Sequence, residues 1–471
     1  MEMELKIPNN TNLNNRKALK RKEVLNNLLS QLIKVDFRQL AELSEDDNLK
    51  KKHYLICTIQ EILRIAYLNS WGLARRHDFI YVYNGSFWEI IEDEELKNFL
   101  GECAEKLGVD KFDAKHYQFR DELFKQFLTT AYLPEPEHTK DRVLINLLNG
   151  TFEITPRERI LRNFQQKDFI TYQLPFNYDI EAKAPLFYKY LNEVLPDPEA
   201  QNILSEYIGY IFIKNSFLKL EKSLILHGTG ANGKSVFFEI IRALLGEQNF
   251  SSYSLSSLTN EKGYHRAEIA NKLVNYASEI NGSLETSRFK ALVSGEPIEA
   301  RKPYGQAFIL NDYAKLIFNT NELPRDVEHT QAFFRRFLII PFSVQIPDEK
   351  QDKELSSKII ENELPGVFNW VLEGLERLIN QKNFSKCNLS NESLTNYINT
   401  SDSVKVFMDE LNIKPDIDNY RLIKDIYPEY KSFCFDDGYR PLGKTNFIKR
   451  LRFHKVNVER KDIGMIAWIA F

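Results

Sequence analysis

Cysteine is scarce in this chain: four residues in 471 (Cys57, Cys103, Cys387, Cys434), with no C-x-x-C pair among them. That excludes a disulfide framework and a cysteine-rich zinc site, and it fits a reducing compartment. The eight histidines form no H-E-x-x-H or other closely spaced ligand pair, so a zincin-type centre is excluded as well. No run of 18 apolar residues occurs, so no membrane span is expected. The opening Met-Glu-Met-Glu-Leu-Lys lacks the apolar centre of a secretory signal. An excess of one charge sign is missing too: 63 Lys+Arg against 66 Asp+Glu give a net charge of −3. A globally basic nucleic-acid packager is excluded, and any such surface must be local. What the chain does have is 43% hydrophobic and 13% aromatic residues, enough for sizeable cores in two to four domains. A soluble cytoplasmic protein is the expectation.

Residues 1–24 are polar and carry the basic cluster Arg16, Lys17, Lys20, Arg21 and Lys22, which reads as a flexible tail or a solvated lead-in to a helix. Residues 25–190 read as α+β. Apolar residues at helical spacing (Leu25, Leu28, Leu29, Leu32) precede two Asn-Gly turns, Asn84-Gly85 and Asn149-Gly150, each between β-rich runs. Prolines 175, 185, 196 and 198 mark a boundary, and residues 191–380 alternate strands and helices in an α/β pattern. The Asn/Ser-rich stretch 381–400 reads as a linker, and residues 395–471 as a compact terminal unit.

Within the α/β stretch, Ser223–His227 is a short apolar strand. It runs into Gly228-Thr229-Gly230-Ala231-Asn232-Gly233-Lys234-Ser235 and then into an amphipathic helix with Val236, Phe237, Ile240, Ile241 and Leu244. This is G-x-x-x-x-G-K-[ST] in a strand–loop–helix context. Glycines let backbone N–H groups curl around an anion, and the helix N-terminus adds a positive dipole. Lys234 would reach the β- and γ-phosphates of ATP, and the Ser235 hydroxyl would ligate Mg²⁺.

Three later strand candidates supply partners for that loop. Leu273–Glu279 ends in Glu279, a carboxylate suited to the metal and the attacking water, and equally compatible with a surface acid. Lys315–Pro324 ends in Asn321, which could orient the γ-phosphate or water, or simply make a turn. Arg335-Arg336 opens a third apolar strand; either arginine could stabilise transition-state charge on a neighbour's nucleotide, or blunt a sheet edge. Residues 440–461 carry eight Lys/Arg against one acid, Glu459. A helix capped by Thr445, with Lys449, Arg450 and Arg452 facing outward, followed by strands Val456–Val458 and Met465–Ile469, reads as a winged helix-turn-helix that binds DNA, or as the basic face of a docking domain.

Taken together, order and spacing resemble superfamily 3 helicases, in the phage/plasmid replication branch related to the poxvirus NTPase-primase. Gly228-x-Gly230-x-Asn232-Gly233-Lys234-Ser235, Ser278-Glu279, Ser294-Gly295-Glu296-x-Ile298-Glu299-Ala300-Arg301-Lys302, Thr320-Asn321-Glu322-Leu323-Pro324 and Arg335-Arg336 with Ile340-Pro341-Phe342 look like its successive motifs, and the resemblance covers residues 75–471. It implies an AAA+-like P-loop core with an N-terminal helicase-associated domain and a C-terminal winged helix. It also implies a homo-hexameric ring that hydrolyses ATP between subunits and moves 3′→5′ on single-stranded or forked DNA. Such a ring would serve a phage or mobile element in a bacterial host, alongside other replication proteins. In this reading Lys234, Glu279, Asn321 and Arg336 are catalytic, and Ser235 and Glu279 hold the metal. Arg301, Lys302 and Tyr304 lie on a hairpin facing the ring channel, although a basic surface turn fits the residues alone. The sequence departs from the family pattern at Ser278, where a second acid is common. About 75 residues precede the resemblance, so no primase activity is expected. An ATP-regulated origin-melting initiator with little processive unwinding stays open, and so does an NTPase acting on protein, against which the C-terminal basic cluster argues.

Overall fold

The computed structural model describes residues 5–6, 19–133, 141–278, 280, 284–303, 305–324 and 327–470. Its centre is a parallel sheet of five strands: β1 (Ser223–His227), β2 (Phe250–Ser251), β3 (Val274–Ala277), β4 (Lys315–Thr320) and β5 (Phe337–Pro341). Their spatial order is β5-β1-β4-β3-β2. Strands buried on both faces favour apolar residues on both, which is why residues 224–226 in β1 and 337–340 in β5 read as unbroken apolar runs. Alternation then divides them. Leu224, Leu226, Leu338 and Ile340 face a layer containing helices Pro198–Tyr210, Lys234–Leu245 and Leu364–Gln381. Ile225, Phe318 and Ile339 face the opposite layer, with Phe289, Phe333 and Tyr397.

The N-terminal unit has its own core. Helices Arg21–Gln31, Lys51–Leu68, Asp93–Leu107 and Tyr117–Thr130 pack with an antiparallel sheet, Gly72–Arg76, Phe79–Tyr83 and Trp88–Ile91. Both Asn-Gly sites are hairpin turns as expected. Around the first, the Asn84 side chain accepts from the Ser86 and Phe87 N–H groups, which widens the turn beyond two residues. The second hairpin, Val143–Leu147 with Gly150–Ile154, is extended by Arg159–Arg162. Its Val143, Ile145, Phe152 and Leu161 share one continuous core with helix Pro185–Val194 and the central sheet. The boundary expected near residue 190 therefore falls inside a packed core.

Three other expectations change. Arg21 is no tail residue: it opens a helix and bridges Glu95 at 3.0 Å. The expected linker contains helix Asn388–Thr400, whose Tyr397 is buried and donates its hydroxyl to the Pro324 carbonyl at 2.9 Å. Its apolar positions Leu394, Tyr397 and Ile398 keep helical spacing among polar neighbours, and composition hid them. The C-terminal unit begins only at Asp402. It runs helix Ser403–Glu410, strand Lys414–Leu422, helices Ile423–Asp436 and Lys444–Phe453, and strands Val458–Lys461 and Gly464–Ala470, the last in the middle of an antiparallel sheet. Gly443, not Thr445, precedes its basic helix.

Candidate functional site

β1 lies between β4 and β5, so the chain leaves it where the strand order reverses. Open α/β sheets form their ligand crevice there, beyond the carboxyl ends of the strands. The loop Gly228–Gly233 occupies that position and feeds helix Lys234–Leu245. Its backbone needs positive φ at Gly230 (110°), Ala231 (50°) and Gly233 (83°). A Cβ at Gly233 would lie 2.6 Å from Val194 Cγ1, so only glycine lets helix Pro185–Val194 pack beneath the loop. The loop is braced from two sides. Tyr190 donates its hydroxyl to the Gly233 carbonyl at 2.8 Å, and Asn232 Nδ2 donates to the Phe342 carbonyl at 2.9 Å. Tyr190 escaped the sequence reading, and Phe342 entered it only as the end of the Ile340-Pro341-Phe342 motif, because nothing local in the sequence marks a residue that braces a distant loop.

Lys234 is only 6% exposed, and its Nζ donates to the Gly228 carbonyl at 2.7 Å and to Asn232 Oδ1 at 3.0 Å. Both acceptors are neutral oxygens, and burial pushes its pKa down. A buried ammonium without a counter-charge favours an anion. Next to it are the exposed Thr229, Ala231 and Ser235 and the unpaired first-turn N–H groups that every helix N-terminus presents. This donor set fits a polyphosphate, and the exposed Ser235 hydroxyl fits a hard divalent cation beside it.

Asn321 is brought to the same place. It stands exposed just past the tip of β4, its backbone hydrogen-bonded to the ring of His227, while the Thr320 carbonyl accepts from the Gly228 N–H at 3.2 Å. Burial holds the His227 pKa low, the Lys234 charge adds to that, and the bond to Asn321 opposes it. Asn319, not singled out from the sequence, is buried and accepts from the Tyr276 hydroxyl at 2.9 Å, which ties β3 to β4. Its signal was an amide inside an otherwise apolar strand. Ser278 is exposed at the carboxyl end of β3, the same end of the sheet; Glu279 lies outside the described residues.

The two arginines part company. Arg336 is 7% exposed and turned inward, its Nε alone of the guanidinium nitrogens being buried without a partner among the described residues. It donates to Ser294 Oγ at 2.9 Å and to the Ala332 carbonyl, and lies 3.6 Å from the Glu221 carboxylate. An outward-reaching role for it is corrected on that ground. Arg335 keeps 58% of its side chain exposed, held only by Glu221 at 2.8 Å. Both precede β5, roughly 13 Å or more from the loop of their own chain.

Arg301 and Lys302 lie on the antiparallel hairpin Ile298–Arg301/Ala307–Leu310. Arg301 is exposed and donates to the Gly305 carbonyl at 2.9 Å. Lys302 is half-buried, its Nζ 5.3 Å from the centre of the Phe79 ring of the N-terminal unit. Tyr304 lies outside the described residues. In the C-terminal unit Lys449 and Arg452 are exposed, Arg452 also donating to the Val458 carbonyl at 2.7 Å. Arg450 does not face outward as expected. Its Nε donates to Asp402 Oδ2 at 2.6 Å and its Nη2 meets His329 Nδ1 at 3.0 Å, so its charge joins this unit to the central one.

The fold and site thus define an α/β protein whose sheet carries an anion-ready loop. Against known proteins, residues 226–336 match a family of unknown function, DUF5906, and residues 60–196 match the family described as D5 N terminal like. The chain is 26% identical over 242 residues to a protein of Acanthamoeba polyphaga mimivirus named "Putative helicase L207/L206", covering 48% of this chain and 24% of the relative. The chain therefore spans about a quarter of that relative's length. It is also similar to apo structures of the NrS-1 C terminal region. One has 12% identity, 86% of this chain and 97% of that one covered, and a TM-score of 0.48; another has 13%, 87%, 98% and 0.45. By sequence, the chain is thus similar to a viral protein that is named a putative helicase. Among the described residues no helix is long and apolar enough to cross a membrane.

Proposed function

We propose that this chain is an ATP-dependent DNA helicase for replication of a phage or mobile element, acting in the host cytoplasm. One observation carries the reading: the buried Lys234 ammonium, with only neutral acceptors, at a glycine loop on the switch point of a parallel sheet. The helicase-like viral relative supports the choice among NTPases. Gly228–Ser235 would cradle the ATP phosphates, with Lys234 on the β- and γ-oxygens. Ser235 and Glu279 would hold Mg²⁺, which supplies charge neutralisation when bound. Asn321 would align the attacking water and Glu279 would accept its proton. Arg335, rather than Arg336, would reach the neighbouring subunit's nucleotide in a homo-hexamer, because its own loop is at the far end of the strand. Arg301, Lys302 and Tyr304 would contact the single strand in the channel during 3′→5′ movement, and a C-terminal winged helix would hold DNA through Lys449 and Arg452.

The test is DNA-stimulated ATP hydrolysis and displacement of a labelled strand from a fork, by wild type and Lys234→Ala. Wild type should do both. Lys234→Ala should remain folded and lose hydrolysis by a factor on the order of 10² or more, since no other side chain supplies that charge. Hydrolysis without displacement would favour the origin-melting initiator. Near-wild-type turnover in Lys234→Ala would remove the nucleotide site from this loop.

A further inference from the structure

A second cleft, of about 220 Å³, lies between the N-terminal and central units. Asn271–Leu273 and Ile309–Lys315, which form part of its wall, lead into β3 and β4. The cleft is therefore at the amino ends of the strands, opposite Gly228–Ser235, and is independent of the proposed ATP site.

Its lining holds six Lys/Arg against three Asp. Arg142 is paired with Glu153, and one oxygen of Asp168 with Arg162. Among the basic residues of this lining, Arg76 is buried with a donor left open. It is 6% exposed, its guanidinium lies 4.4 Å over the Phe169 ring, and its Nε has no partner among the described residues. The second oxygen of Asp168, in the same cleft, also lacks one. Buried donors and acceptors left open cost free energy, and a built site is where such a cost is offset. Lys315 donates to Asn215 Oδ1 at 2.6 Å and sits 4.3 Å over the Tyr210 ring; burial pushes it down to about 8, a state that a bound anion would reverse. Lys214 keeps an accessible side chain in the same cleft, where the surrounding protein pushes its pKa down, Asp312 pulls it back up and the Arg76 charge adds to the lowering, as an open anion site between cations would. Tyr81, Phe169, Tyr172 and Tyr313 supply an aromatic wall.

We propose that this cleft binds one nucleotide unit, with the phosphate on Arg76, Lys214 and Lys315 and the base on the aromatic wall. A nucleotide offers both things the cleft lacks, anionic acceptors for Arg76 and an amine or hydroxyl donor for Asp168, and base–aromatic stacking tolerates any base. A volume below the roughly 300–1,000 Å³ of drug-sized sites limits the occupant to a single unit. Free nucleotide and a nucleotide of a passing strand share this chemistry. Phe79 links the cleft to the hairpin, lining the one while its ring packs 5.8 Å from Phe308 and under Lys302 in the other.

The experiment is equilibrium binding of labelled dTMP to the full chain carrying Lys234→Ala, which removes the proposed ATP site. One equivalent should bind per chain. Adding Arg76→Met or Lys214→Met should weaken binding roughly tenfold or more, the size of a lost charge-assisted hydrogen bond. Arg76→Met should change the melting temperature little, because it exchanges a guanidinium that stacks on Phe169 but leaves its Nε open for an apolar chain of similar reach; an Arg76 with a purely structural role would lower it. If that variant unfolds, exposed Lys214→Met still decides. Displacement of dTMP by oligothymidylate identifies a strand as the source, and failure to displace identifies free nucleotide. No binding in the Lys234→Ala chain, binding indifferent to both substitutions, or equal competition by inorganic phosphate would each overturn the proposal.

Discussion

At the residue scale, adjacent side chains of one type have been given opposite jobs. Arg335 and Arg336 are indistinguishable in sequence, and only burial separates them. Arg336→Ala should cost about 1–3 kcal/mol, because Ser294 and the Ala332 carbonyl lose a buried charged donor. Arg335→Ala should leave the melting temperature within a degree or so of wild type, as exposed pairs contribute little. It should nonetheless reduce hydrolysis on the order of 10³-fold if it serves as the finger. Mixing Arg335→Ala with Lys234→Ala protein should restore part of the activity, since a mixed interface pairs an intact loop with an intact arginine. No recovery in rings shown to exchange subunits would count against that assignment. The glycine loop, Lys234 and the Asn321 tip were legible from the sequence because their chemistry demands fixed residue types at fixed spacing. Tyr190 and Asn319 were not, because their roles exist only across 40 or more residues of chain.

At the element scale, two crossings decide the architecture. Helices Pro198–Tyr210 and Leu364–Gln381 approach so closely that a Cβ on Gly374 would come 2.3 Å from the Ser205 carbonyl carbon. Backbone cannot give way as a flexible side chain can, so Gly374→Ala should destabilise by about 1–3 kcal/mol, measured by chemical denaturation. An unchanged midpoint would mean that the helices separate freely. This crossing also buries Glu206, whose carboxylate is held by Arg377 at 2.7 Å and the Ser385 N–H at 2.8 Å. The second crossing is the hairpin against the N-terminal unit. Lys302→Ala should preserve basal ATPase while lowering fork unwinding and the salt-dependence slope of single-strand binding, by about 0.7 per lost phosphate contact. Because Lys302 also lies over Phe79, Phe79→Leu is the control. If it reproduces the Lys302 defect in full, the lysine acts through docking rather than on the strand.

At the scale of the whole molecule, the C-terminal unit is latched to the central one by His329, Arg450, Asp402 and His454. His329 Nε2 pairs with the Ser401 carbonyl at 2.7 Å while its Nδ1 receives Arg450, which requires a neutral ring. Burial, with the charges of Arg450 and His454, holds its pKa below 6.5 against the opposing pull of the Ser401 carbonyl and Asp402. Burial alone would raise Asp402, but His454 and Arg450 outweigh it and keep its carboxyl well below the usual range. The signs follow from linkage. The unfolded chain takes up a proton at His329 that the folded one resists, so stability is complete above pH 6.5 and falls as pH drops below it. The Asp402 contribution is complete above pH 3.8 and is lost progressively as pH falls below that value toward its lower folded pKa. Melting temperature should therefore decline between about pH 7 and 5, and His329→Gln should flatten part of that decline. A profile unchanged by His329→Gln would assign it elsewhere, the half-buried His227 being shifted with the same sign.

Local sequence was enough for the glycine-rich strand–loop–helix at Gly228–Ser235, the α/β alternation around it, both Asn-Gly hairpins and the basic stretch near the C-terminus. Each is written in local spacing, and local spacing biases backbone conformation without needing to know the long-range partners. Only the tertiary structure decided which of two arginines is buried, that Asn388–Thr400 is a packed helix rather than a linker, that Arg450 serves the latch and not the surface, and that a basic aromatic cleft joins two units. Those outcomes depend on which distant side chains the packed fold brings within reach of a given atom. Burial and pairing are properties of the packed whole, with no signature in the neighbouring residues.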